Sequence, residues 1–182
     1  MAEILKVHII TTSEKRFHLF KSLLGIANTQ TWEDVQEDLK RIKDLNAQIN
    51  PNDPIDAFEK SSIMAHEILS RGPAVLIIDF NLGLKYTDGY DIVRFLNFKI
   101  KQKKLTDEYL GVPIPAIHVF DRTEIREKRC LLGEHTDHIR LGKKDSLFKV
   151  WGVLQPKMIR LIDGVEKEYE SLDCLKSKRS RL

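Results

Sequence analysis

The stretch "VLIIDFNL" at 75–82 runs four aliphatic residues into Asp79. A carboxylate ending an apolar strand stands where open α/β sheets gather ligands and metal ions. The competing structural role is a turn cap that accepts backbone N–H bonds. Asp121 follows a second apolar run, "VPIPAIHVF", and can offer an oxygen to a cation. The other titratable groups read structurally. Asp88 and Asp91 stand at the start of a helix, where acids suit the positive end of the dipole. His118 lies centrally in an apolar strand and reads as a satisfied core or flank residue, while His135 and His138 flank a loop with no ligand set to complete them. Cys130 and Cys174 have no metal-type spacing and read as free thiols of a reducing compartment. No dinucleotide fingerprint, P-loop or nucleophile elbow is present.

These groups need elements to position them. "KVHII" at 6–10 reads as a short buried strand. "TTSEKRFHLFKSLLG" reads as a helix with Thr11 and Glu14 as a capping box, Phe17, Phe20 and Leu24 on one face, and Gly25 as its stop. From Thr31, the residues Trp32, Val35, Leu39, Ile42 and Leu45 recur at helical spacing among polar neighbours, the pattern of a one-sided surface helix. "NPNDP" breaks the chain. A further helix runs to Gly72, and a strand follows over 74–79. Helical spacing resumes at Ile92, a proline-led strand occupies 112–120, and a short helix and the short strand "DHIRLG" come next. The last helix presents Leu147, Val150, Trp151, Leu154, Met158, Leu161 and Ile162, and Pro156 predicts a kink or a break in it. Trp32 and Trp151 read as core anchors.

The alternation predicts an α/β fold: a doubly wound, mostly parallel five-stranded sheet, flavodoxin-like, with an extra helix in the region 27–60. The second strand announces itself nowhere; "GIANTQTW" and "NAQIN" are its only candidates. Residues 1–163 form the expected domain and 164–182 a charged, basic C-terminal tail. The length of 182 residues is enough for a substantial core. The net charge of +3 neither demands nor excludes an anionic partner, and its excess is partly local to the ending "KSKRSRL". No apolar run is long enough to span a bilayer. The opening residues pass an acid, Glu3, directly into strand-like sequence, unlike a signal peptide. A cytoplasmic domain without membrane contact is the expectation.

The order of motifs resembles the receiver domain of two-component response regulators. "LIIDFNL" is similar to its phosphoacceptor strand, "DGYDIVRFL" to the Asp-Gly that opens the next helix, and "VPIPAIHVF" to its fourth strand. "TDHIRLGKKDSLFKVW" is similar to the fifth strand, its terminal lysine and the final helix. The resemblance implies Asp79 as phosphoacceptor, Lys143 as the phosphoryl contact or an ion-pair partner of Asp79, and Ser146 as the cap of the last helix. Aspartyl phosphorylation would further imply Mg²⁺, with Asp79, Asp121 and Glu14 as its available oxygen ligands.

The departures are equally specific. Thr11 and Thr12 stand where receivers carry the acidic metal-binding pair, and hydroxyls replace carboxylates poorly around a hard cation. Phe120 replaces the phosphoryl-binding hydroxyl, Arg140 takes the aromatic switch position, and the segment from Asp79 to Gly89 is two residues longer than the family's. These features imply a pseudo-receiver: a non-enzymatic signalling domain acting through a protein partner or a homodimer on its 113–155 face, where Arg126, Lys128, Arg129, Arg140 and Lys149 lie. The alternatives are a phosphorylatable receiver at Asp79, with aspartyl-phosphate chemistry, and a nucleic-acid-associated regulator using the basic tail.

Overall fold

The computed structural model describes residues 6–25, 28–70, 75–94, 115–121, 135–142 and 145–179. The first strand, β1 (Val7–Ile10), is buried at every position, as is β2 (Val75–Asp79). Strands buried on both faces belong to a sheet covered by helices on both sides, which is why "VHII" and "VLII" lack polar alternation. Next in the sheet are β3 (Ala116–Asp121) and β4 (Thr136–Leu141), giving the order β1-β2-β3-β4 with every pairing parallel. The arrangement is doubly wound and flavodoxin-like, with four strands among the described residues where the sequence suggested five.

Helix α1 (Glu14–Leu24) follows β1 and buries Phe17, Phe20 and Leu24. Its cap corrects the sequence reading. Ser13, not Thr11, is the N-cap: its side chain accepts from the Arg16 N–H at 3.3 Å, and Thr11 is turned inward to other work. Gly25, at φ 55°, ends the helix as expected. Helix α2 (Trp32–Ala47) opens with a capping box between Thr31 and Asp34. Its buried stripe holds Val35, Leu39 and Ile42 but also Asp38 and Asn46, so it is less one-sided than its sequence suggests. Helix α3 (Pro54–Ser70) packs on α2, where Arg41 and Glu67 form a 3.0 Å ion pair. Residues 89–94 are helical (α4), and Asp88 and Asp91 cap that start reciprocally, each backbone N–H donating to the other's carboxylate at 3.0–3.1 Å.

The last helix, α5 (Leu147–Arg179), runs through Pro156 without ending. At 1.5 Å per residue its 33 residues span about 50 Å, more than twice the length of a six-residue strand, so it outruns the sheet. Residues 164–179 are therefore helical, where the sequence reads as a tail. Val150, Leu154, Met158 and Leu161 are buried as expected, but Leu147 is exposed. Helices α1 and α5 cover one face of the sheet; Lys157 and Arg160 of α5 pair there with Asp137, whose side chain shares a face with Ile117 and Ile77. Helix α2 covers the opposite face, where Asp38 meets His8 at 3.1 Å.

The missing second strand has a physical substitute. In a flavodoxin-like order it would pair along the outer edge of β1. Instead, side chains of residues 28–30 supply the hydrogen bonds. The Asn28 amide donates to the Val7 carbonyl at 2.9 Å. The Gln30 amide accepts from the Ile9 N–H at 2.6 Å and donates to the Ile9 carbonyl at 3.3 Å. One side-chain amide thus does what a paired backbone residue would do, and both side chains are buried for it.

Candidate functional site

Asp79 ends β2 with 1% exposure, and Phe80 is the first residue beyond the strand. Both carboxylate oxygens are occupied. Oδ2 accepts from the Thr11 hydroxyl at 2.8 Å, the Thr12 N–H at 2.9 Å and the Thr12 hydroxyl at 3.2 Å. Oδ1 accepts from Arg16 Nη1 at 3.0 Å. The second guanidinium nitrogen, Nη2, donates to Asp121 Oδ1. Arg16 therefore bridges the ends of β2 and β3 from the first turn of α1. A planar fork with charge on both arms suits this double task better than a lysine would.

The electrostatics follow from this bridge. Burial alone would lower the Arg16 pKa; the charge of Asp79 and the hydrogen bond and charge of Asp121 outweigh it and raise the group above its ordinary value. The guanidinium stays charged at any pH the fold meets. The two halves of the bridge are unequal, because the Asp79 side chain is 1% exposed and that of Asp121 is 55% exposed.

Arg16 is not among the residues singled out from the sequence, although its position carries a signal. Lys15 and Arg16 put two cations in the first turn of a helix, against the dipole, where acids are favoured. A helical side chain there leans toward the helix N-terminus, here toward the strand ends, so an arginine at this place calls for an anion. Asp79 and Asp121 supply it.

The other sequence-derived residues divide clearly. Asp79 and Asp121 are brought together, through Arg16. Glu14 is not: its side chain is exposed and lies 3.6 Å from His18 on the outer surface of α1. Lys143 lies outside the described residues, as do Arg126, Lys128, Arg129 and Cys130. Ser146 accepts from the Lys149 N–H at 3.3 Å at the start of α5, the capping place the resemblance implies. His118 is in the core, but it is not satisfied as the sequence suggests. Neither ring nitrogen has a hydrogen-bond partner among the described residues. The ring lies near Phe80, Tyr90 and Phe120, with centroids 6.0–6.4 Å away. Phe120, in place of a phosphoryl-binding hydroxyl, stacks on Phe80 at 4.4 Å.

Two further departures from the receiver pattern turn out to be joined. The lengthened loop after β2 is tied to α2 by Asn46, whose amide donates to the Thr87 hydroxyl at 2.9 Å and accepts from the Lys85 N–H at 3.0 Å. The other end of the loop is set by Gly89. Its N–H donates to the Phe80 carbonyl at 2.9 Å, and a Cβ there would lie 2.1 Å from the Asp79 carbonyl oxygen. Only glycine allows this approach. Between the loop, α1 and the strand ends lies a cleft of about 740 Å³.

A receiver sets a divalent cation against its phosphoacceptor, and the side chains around Asp79 do not fit one. Thr11 and Thr12 offer hydroxyls whose protons point at Asp79, and the cationic Arg16 lies between the two carboxylates a metal would need. Among the described residues, no group of three His, Cys, Asp or Glu side chains converges to hold a metal ion. No described helix is long and apolar enough to cross a membrane. Comparisons with protein-family models, with curated proteins and with solved structures found no match.

Proposed function

We propose that this chain is a receiver-like signalling domain that acts by binding a protein partner, with its phosphoacceptor position closed by Arg16. The fold is compatible with a receiver-like α/β domain; the observation that carries the rest is the saturation of Asp79. An aspartate that attacks a phosphodonor needs a free oxygen and a cation ready to neutralise the incoming charge. Here Oδ1 is engaged by the guanidinium and Oδ2 by three donors. The cation present is covalently part of the protein. It stands against the carboxylate permanently, as a metal with a phosphoryl group would do only transiently.

Partner contact through the β3–β4–α5 side is supported by the start of α5. Leu147 is 49% and Phe148 88% exposed, large apolar side chains beside Lys149 and Asp145, which pair with each other at 2.7 Å. An apolar pair within a charged rim is the composition of a contact patch.

The test is incubation of the purified chain with acetyl phosphate and Mg²⁺, followed by intact-mass measurement. The expected spectrum shows no phosphoryl adduct on the wild type. An adduct that disappears in Asp79→Asn would replace this reading with that of a working receiver.

A further inference from the structure

The cleft beside Arg16 has more in it than a closed receiver site requires. Its volume, about 740 Å³, lies within the range of pockets that take small organic ligands. It opens at the carboxyl ends of the strands, the place where open α/β sheets bind ligands. Leu19, Leu82 and Leu141 give it apolar walls, while Lys15, Arg16 and Lys43 bring cations from α1 and α2. Its two carboxylates each face a cation already: Asp121 pairs with Arg16, and Asp145 with Lys149. The amino end of α1, represented by Thr12 and Ser13, also borders the cleft and adds its positive dipole end.

Parts of the chain that exceed a minimal receiver complete this space. The lengthened loop supplies Asn81, Leu82 and Gly83, and the extra helix α2 supplies Lys43 and, through Asn46, the anchor that fixes the loop.

The unequal bridge shows how an anion would enter. Arg16 is held by Asp79 in the interior, whereas its contact with Asp121 is half in water. Exposed ion pairs contribute little and exchange readily. An incoming anion can therefore take the Asp121 side of the guanidinium without disturbing the Asp79 side.

We propose that the cleft binds a small phosphorylated ligand of nucleotide size, whose phosphate replaces the Asp121 carboxylate on Arg16 while its organic body lies against Leu19, Leu82 and Leu141. A phosphate fits better than a carboxylate because a dianion with several acceptor oxygens can be shared between Arg16, Lys15 and Lys43. This proposal rests on the reading that Arg16 keeps Asp79 closed. Binding would set the position of Asp121 at the end of β3, next to the surface offered to partners.

The experiment is an NMR titration of the ¹⁵N-labelled full chain with AMP, inorganic phosphate and adenosine in parallel. AMP should give saturable shifts in residues 13–16 and 81–83 and at Gly142, phosphate weaker shifts in residues 13–16, and adenosine binding at least about tenfold weaker than AMP. Lys43→Gln, an exposed substitution, should weaken AMP about threefold or more. Asp121→Asn should tighten it, because the competing carboxylate has lost its charge. No shifts with AMP or phosphate, shifts centred elsewhere, or weaker binding in Asp121→Asn would each overturn the proposal. AMP carries no phosphoryl group activated for transfer to a carboxylate. Its titration is therefore read independently of the acetyl phosphate experiment, and either result can fail without the other.

Discussion

Asp79 and His118 sit on neighbouring strands, with Asp79 one residue past the partner of His118 in the register, and both are almost fully buried. Their surroundings could hardly differ more. The carboxylate receives four hydrogen bonds, one of them from a cation. The imidazole has no partner among the described residues and lies among aromatic rings. Burial pushes its pKa down to about 4, with Asp88 opposing and His138 assisting. Around Asp79 the fold supplies donors for a charge; around His118 it suppresses one. Only the first is an arrangement for binding anions.

The largest expected effect comes from breaking the first arrangement. Arg16→Met removes the cation and leaves the buried Asp79 without its ion-pair partner, which should cost about 3–5 kcal/mol of stability in urea denaturation. Arg16→Met combined with Asp79→Asn should recover most of the loss, because the uncompensated charge is gone. If the double variant is as unstable as the single one, Arg16 acts by packing and not by neutralising Asp79.

His118 gives the opposite test, by forcing charge into an apolar surrounding. The unfolded chain takes up a proton near pH 6.5 and the folded chain only near 4. Stability should therefore be flat above about pH 6.5 and fall as the pH drops toward 4, by about 3 kcal/mol in total. In His118→Leu this slope should vanish, with stability at pH 7 equal to the wild type or higher, since an unpaired buried imidazole is lost. Asp137 does not confuse the window. Burial raises its pKa, but the hydrogen bonds from Lys157 and the His138 N–H and the charges of Lys157 and Arg160 outweigh that and hold it below the ordinary carboxylate range. Its contribution is present above that range and is lost only in stronger acid. A slope that persists in His118→Leu would show that another group governs the acid side.

The comparison also shows what a sequence can disclose. The strands β1 and β2 are legible because full burial leaves little polar alternation in "VHII" and "VLIID". Asp79 was legible because it ends an aliphatic run. The helices α1, α2 and α3 followed from spacing and from Thr31, Gly25 and "NPNDP". What escaped was every arrangement in which a polar side chain acts far along the chain. Arg16 meets Asp79 across 63 residues and Asp121 across 105. Asn46 reaches the loop at Lys85 and Thr87, and Asp38 reaches His8. Asp38 and Asn46 fall at the spacing of the α2 stripe, but their polar side chains do not announce burial, and only the fold supplies the partners that explain it. Thr11 was misread for a related reason. A hydroxyl three residues before a glutamate fits a capping box locally, but in the fold the Thr11 hydroxyl donates to the buried carboxylate and Ser13 accepts the helix N–H in its place.

The second strand escaped for yet another reason, and it supplies the smallest of the expected effects. "NTQ" at 28–30 carries only a weak strand signal, and in the fold its side chains, not its backbone, meet β1. The Gln30 side chain meets the Ile9 N–H and carbonyl, a neutral counterpart of the satisfaction seen at Asp79. Gln30→Ala should leave both groups without their partner. Complete burial of the unpaired groups would cost about 1–3 kcal/mol each, but β1 is an edge strand and water can follow the truncated side chain, so about 1–2 kcal/mol in all is expected. Stability alone would not separate this from lost packing. Hydrogen exchange does, because the Ile9 amide should lose its protection while the Ile77 amide, within the sheet, keeps its own. Unchanged exchange at Ile9 would mean that the edge of β1 is closed by something other than the Gln30 amide. Loss confined to Ile9 would show that the Gln30 side chain closes that part of the β1 edge in place of a paired strand.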